Sequence, residues 1–145
     1  AGTELVRYVL DTNAVSALMK GDAAVVERLR RTDRAAVAVP QPVLAEIAYG
    51  IERLPRSGRR LALEGRFDLV RSELARVSWT DAVSEHFGIV KAALERRGER
   101  IEDFDAAIAA HALAEGAVLV TANLRHMARV PGLAVEDWAL TPTQG

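Results

Sequence analysis

Five short apolar runs punctuate this chain: residues 6–10 (VRYVL), 35–39 (AAVAV), 76–79 (RVSW), 117–121 (AVLVT) and 133–137 (LAVED). Longer segments of helical period separate the first four, and this alternation restricts the fold more than any other feature. Parallel neighbours in a sheet need a crossover of a dozen or more residues, whereas antiparallel neighbours are joined by tight turns. The spacing therefore predicts an α/β fold around a central, mostly parallel sheet flanked by helices. A chain of 145 residues is expected to form one domain, residues 1–145, able to bury a core without cross-links.

Caps and breakers set the expected helix ends. Thr12 or Asn13 is a candidate N-cap for a helix over AVSALMK, Gly21 ends it, and Asp22 starts a second reaching about residue 31. Pro42 suits the first turn of a helix to about residue 54. After the turn LPRSGRR another helix covers 59–74. Thr80 or Asp81 caps a helix to about residue 97, ended by Gly98, and Asp103 starts one to about 115, with Gly116 as its C-cap.

Composition excludes several classes. Without cysteine there is no disulfide framework and no thiolate zinc site. A net charge of −1 gives no global basic field. Yet all but two of the 19 basic residues are arginine, clustered at 53–60, 96–100 and 125–129. Arginine's planar fork suits phosphate, although solvated helix faces are also commonly charged. No apolar run approaches the roughly 20 residues that span a bilayer, and no signal-peptide pattern opens the chain, so a cytoplasmic location without membrane contact is expected.

Three acids and an asparagine carry the chemistry. Asp11 follows the first strand, and ligand sites in open parallel sheets lie off the carboxyl ends of strands; a helix cap is its plainer role. Glu46 falls beside the apolar stripe of Val43, Ile47, Ile51 and Leu54, one turn before Gly50. A carboxylate at such an edge needs a cation, hydrogen-bond partners or an escape to solvent. Asp105 shares a helix face with Ile108, Ala109 and Ala112, in a first turn where the helix dipole favours an anion. Asn123 follows the strand 117–121, with Thr121 beside it, and the chain's only other asparagine is Asn13, again just past a strand. Asparagine is also common in turns.

Three carboxylates and a carbonyl would then converge on one edge of the sheet. Carboxylates sharing a pocket repel unless a cation or shared protons intervene. All-oxygen donors without cysteine or a histidine cluster select hard ions, Mg²⁺ or Mn²⁺, and a site of that kind suits phosphodiester hydrolysis. No Ser–His–Asp or Cys–His nucleophile is apparent; His86 and His111 read as packing or surface residues.

With these residues in order, the chain resembles the PIN-domain ribonucleases, and within them the VapC-type toxins of bacterial toxin–antitoxin pairs. YVLDTNAVSALMKGD is similar to the opening strand and first acid, VPQPVLAEIAYGIERLP to the helix with the second, and DFDAAIAAHALAEGAVLVTANLRHMARVPGLAVEDW to the C-terminal third. The resemblance implies a PIN-like α/β fold, a homodimer, and Mg²⁺- or Mn²⁺-dependent endoribonuclease activity on structured RNA such as tRNA or rRNA, leaving 5′-phosphate and 3′-hydroxyl ends. It implies that Asp11, Glu46 and Asp105 hold the metal and act in catalysis. Thr12, Asn13, Thr121 and Asn123 would orient ligands, water or substrate. It also implies a cognate VapB-type antitoxin, laid in a groove formed by the helix pairs around 13–31 and 42–74.

One departure stands out. Many relatives carry a fourth acid in the Thr-x-Asn segment, at the place of Asn123 or three residues on, where this chain has His126. Less negative charge implies weaker metal binding than in a four-acid relative. The alternative is a catalytically weak PIN module that binds RNA or assembles with partners. A haloacid-dehalogenase-type phosphatase would need a second aspartate where Asn13 stands. A receiver domain would need paired acids before the first strand and a late lysine, and a flap-type nuclease more acids and extra helices.

Overall fold

A computed structural model of the chain describes residues 5–139. Five strands, β1 (Tyr8–Leu10), β2 (Val37–Pro40), β3 (Ala75–Val77), β4 (Val118–Val120) and β5 (Val135–Glu136), form one sheet in the order β3-β2-β1-β4-β5. Every pairing is parallel, for example Tyr8 with Val37 and with Val118, so the expected mostly parallel sheet is wholly parallel among the described residues. Helices cover both faces, so Val9, Leu10, Val37, Val39, Leu119 and Val120 are all buried and the central strands β1, β2 and β4 read as apolar runs. Each such side chain contributes on the order of 1.5–3 kcal/mol by leaving water.

The helices are α1 (Thr12–Met19), α2 (Ala23–Arg30), α3 (Gln41–Glu52), α4 (Gly58–Glu73), α5 (Asp81–Arg96), α6 (Asp103–Glu115) and α7 (Leu124–Met127). Asp22, Ser57 and Thr80 cap α2, α4 and α5 through side-chain oxygens, and Pro42 sits in the first turn of α3. Gly116 ends α6 in the left-handed region at φ 63°, which lets the Ala117 N–H reach back to the Ala112 carbonyl at 2.9 Å.

Two expected caps differ. Asp11, rather than Thr12 or Asn13, caps α1, because its oxygen accepts the Ala14 N–H. Helix α6 begins at Asp103 as expected, but Asp103 does not cap it; that position belongs to Glu102, whose side chain makes no cap bond, while Asp103 pairs with Lys91 of α5 at 2.7 Å. Residues 35 and 36, expected as strand, belong instead to a 3-10 turn, Arg34–Ala36, capped by Asp33. Helix α7, four residues long, was not foreseen. Among the described residues no helix is long and apolar enough to cross a membrane.

The connections from β1 through β2 to β3 build outward on one side, and the chain then returns to lay β4 and β5 on the other. The winding reverses between β1 and β4. Loops leaving these two strands diverge there and open a crevice at the carboxyl edge of the sheet.

Candidate active site

Asp11 and Thr121 are the first residues past β1 and β4, and the Asp11 N–H donates to the Val120 carbonyl at 3.0 Å. That bond sets the two side by side at the reversal point. Asp11 is 8% exposed and Thr121 is 1%. One Asp11 oxygen accepts the Ala14 N–H at 2.8 Å, so the residue is a helix cap as well as a candidate ligand.

Burial pushes the Asp11 carboxyl above the usual aspartate range. The Thr121 hydroxyl and the Ala14 N–H work against that shift, while the charges of Asp105 and Glu46 add to it. Three acids from three elements therefore feel one another at one place. Thr121 Oγ1 accepts the Asn123 N–H at 2.9 Å, which leaves its own proton for Asp11.

Glu46 lies on the second turn of α3, half-buried, and its Oε1 accepts the Thr12 hydroxyl. Gly50, one turn on, faces open space, as its position implied. Asp105 stands in the first turn of α6, where the dipole favours it. Its Oδ2 lies 3.5 Å from His126 Nε2 on α7. His126 is fixed in turn by Arg129, which donates to its Nδ1 at 2.8 Å and its carbonyl at 2.9 Å. The same Arg129 nitrogen lies 3.3 Å from His126 Nε2, so the guanidinium holds the ring whose Nε2 faces Asp105.

Asp11, Glu46, Asp105, Thr12 and Thr121 thus share the site. Asn13 and Asn123 are exposed at its rim. Among the described residues, Asn123 reaches the site only through its backbone bond to Thr121, and Asn13 makes no side-chain hydrogen bond. The donors are all oxygen, which suits a hard divalent ion. However, among the described residues no three His, Cys, Asp or Glu side chains are arranged to hold a metal. Glu46 is turned onto Thr12, and Asp105 faces His126.

A cleft of about 820 Å³ opens beside Glu46, walled by the loop between α5 and α6 and by the first turn of α6. Its wall carries Arg100, from the arginine cluster at 96–100, and Phe104, which sequence reasoning missed. The signal for Phe104 was an apolar ring between two aspartates.

An open, doubly wound, all-parallel sheet with carboxylates gathered at its reversal point defines the class: an α/β protein with an acidic site. A family model for the PIN domain matches residues 8–133, and the chain belongs to that family, among its VapC members. It is 31% identical over 135 residues to the tRNA(fMet)-specific endonuclease VapC of Shigella flexneri, covering 93% of this chain and 100% of that one. It is 33% identical over 134 residues to the ribonuclease VapC2 of Haemophilus influenzae, covering 92% and 99%. The crystal structure of VapBC2 from Rickettsia felis bound to a promoter DNA fragment superposes with a TM-score of 0.80 at 29% identity, over 92% of this chain and 99% of that one.

Proposed function

We propose that the chain is a metal-dependent endoribonuclease, the toxin of a VapBC-type pair, restrained by a cognate VapB-type antitoxin. The coarser part, an RNA-cleaving hydrolase, is supported by relatives at about 30% identity over nearly the whole chain that are ribonucleases or endonucleases. The antitoxin is supported by the VapBC complex that shares the fold. The observation that carries the chemistry is Asp11: a carboxylate buried beside two others, at a cost that a cation would offset.

Asp11, Glu46 and Asp105 would hold Mg²⁺ or Mn²⁺, which when bound polarises the phosphoryl oxygen and acidifies water. The chain's own side chains do the rest. Thr12 holds Glu46 in orientation, the Thr121 hydroxyl favours the ionised form of Asp11 against its burial, and the Arg129–His126 pair fixes the side of the site that Asp105 faces. Water adds to phosphorus, the bond to the 3′ oxygen breaks, and that oxygen takes up a proton. We expect tRNA or rRNA as substrate and a homodimer as the working form.

A second reading, a PIN module that binds RNA with little cleavage, is favoured by the open arrangement of the acids and by His126 in place of a fourth one. One experiment separates them. Purified protein is incubated with total cellular RNA in Mg²⁺, in Mn²⁺ and in chelator, beside an Asp105→Asn variant shown by circular dichroism to be folded. Discrete fragments that need both metal and Asp105 establish the endoribonuclease. Intact RNA with folded wild-type protein in every lane favours the binding module, and an active Asp105→Asn removes that residue from catalysis.

A further inference from the structure

Phe104 occupies the first turn of α6 between Asp103 and Asp105, and it is 47% exposed. The other phenylalanines are covered to a greater degree: Phe67 is buried and Phe87 half-buried. A ring left in water next to an acid of the site needs a reason, since its burial elsewhere would be favourable. It lines the 820 Å³ cleft together with Glu46 and Arg100, a space large enough for a nucleotide.

Charge decides how a strand would enter. Lys91, on the same wall, is engaged by Asp103 at 2.7 Å. Arg97 is engaged by Glu99 and the Arg129 carbonyl, and Arg129 by His126 and the Arg100 carbonyl. The Arg100 guanidinium makes no ion pair or hydrogen bond among the described residues, yet its backbone is pinned by Arg129 at 2.8 Å. It is a free cation on a fixed support. The remaining wall carries Glu46, Glu95 and Glu102, which repel a phosphate anywhere except near Arg100. A neutral base is not repelled, and Phe104 offers it a stacking face.

We infer that Phe104 and Arg100 form the subsite for the nucleotide beside the scissile phosphate, the ring stacking on its base and the guanidinium holding its phosphate. This rests on the ribonuclease reading above. A base can stack on Phe104 only when it is free of its own helix, so the subsite engages unpaired nucleotides.

The test uses the full chain in chelator, so that metal-dependent cleavage is stopped, and a fluorescein-labelled, non-self-complementary RNA oligonucleotide followed by anisotropy over a range of salt. Phe104→Ala weakens Kd roughly 5- to 100-fold with an unchanged salt slope, and Phe104→Trp restores it. Arg100→Ala flattens the slope of log K against log salt by about 0.7, and Arg100→Lys keeps it. With the same RNA annealed into a duplex, Phe104→Ala has no effect. If both alanine variants bind the single strand like a wild type that cleaves RNA in Mg²⁺, the subsite is wrong and the ribonuclease reading stands. If Phe104→Ala changes only the sedimentation of the protein, Phe104 is a contact to another protein chain and the subsite is wrong. If the wild type neither binds nor cleaves RNA, both readings fall.

Discussion

At Asp11 one carboxylate oxygen accepts the Ala14 N–H, while the group as a whole is buried beside Glu46 and Asp105. Burial makes its ionised form costlier than that of an aspartate in water, and the fold carries that cost at the site. Asp11→Asn keeps an oxygen for the Ala14 cap and removes the charge. We expect cleavage to fall to background while Tm without metal rises by a few degrees, the scale on which about 1 kcal/mol registers in a domain of this size. Mg²⁺ binding only the folded state should raise the Tm of wild type and leave that of Asp11→Asn unmoved. A variant less stable than wild type would mean that Asp11 serves the fold first. His126 is the second telling residue, because it stands 3.5 Å from Asp105 where a fourth acid is absent. His126→Glu adds that carboxylate. The apo protein should melt lower through repulsion, and half-saturation by Mg²⁺ in a thermal-shift titration should come at roughly tenfold lower concentration. Identical titration curves would show that the fourth charge does not govern affinity. Asp11 and Asp105 stood out in the sequence because each meets an apolar pattern at an element's end, and Glu46 because it lies beside an apolar helical stripe. The engagement of Asp105 with His126 was not legible, because it joins two helices whose packing no local pattern encodes.

Helix α6 shows how an element's burial sets both its legibility and its pH response. Ala106 through Ala112 are buried on every side, so the helix has no polar face; its limits came from Asp103 and Gly116, and both mark its ends as expected, although Asp103 is not its cap. The four-residue α7 and the 3-10 turn at 34–36 escaped detection because each is too short to show a period. Strand order is carried by pairings distant in sequence, so the reversal between β1 and β4 had to come from the fold. His111, in the middle of α6, is fully buried, with Nδ1 against the Ala107 carbonyl at 2.9 Å, Nε2 without a partner among the described residues, and its ring edge-on to Trp79. Burial holds its pKa below the usual histidine value. The unfolded chain therefore binds a proton as pH falls past about 6.5 where the folded chain resists. Stability is complete above that pH and declines below it, by up to about 1.4 kcal/mol per pH unit, until the folded histidine also titrates. His111→Leu removes the group and its unpaired nitrogen. Thermal melts at pH 7.5 and 5.5 should show wild type losing more than the variant on acidification; equal losses would assign the acid sensitivity to other groups.

Across the whole molecule, clefts follow one another around the site. A groove of about 260 Å³ between α1, α2 and α4 shares Met19 with a second of about 180 Å³ between α1, α3 and α4. The second shares Glu46 with the cleft that holds Phe104. The first two are lined mainly by apolar side chains such as Leu18, Leu29, Ile47 and Ile51, the third mainly by charged ones. An apolar channel that ends at the acidic site suits a partner segment which would cover Glu46 on arrival and exclude RNA, the manner of restraint expected of an antitoxin. Leu69 tests this without threatening the fold, because it lines the outer groove and is 58% exposed. We expect Leu69→Glu to leave thermal stability within about 0.5 kcal/mol and RNA cleavage by the free protein unchanged. Its affinity for the cognate antitoxin in calorimetry should fall tenfold or more, since a charge must then be desolvated in an apolar groove. Cleavage should correspondingly need more antitoxin for inhibition. An unchanged affinity would mean that the antitoxin reaches the acidic site from the Phe104 side, and then Phe104→Ala, rather than Leu69→Glu, should weaken antitoxin binding in calorimetry.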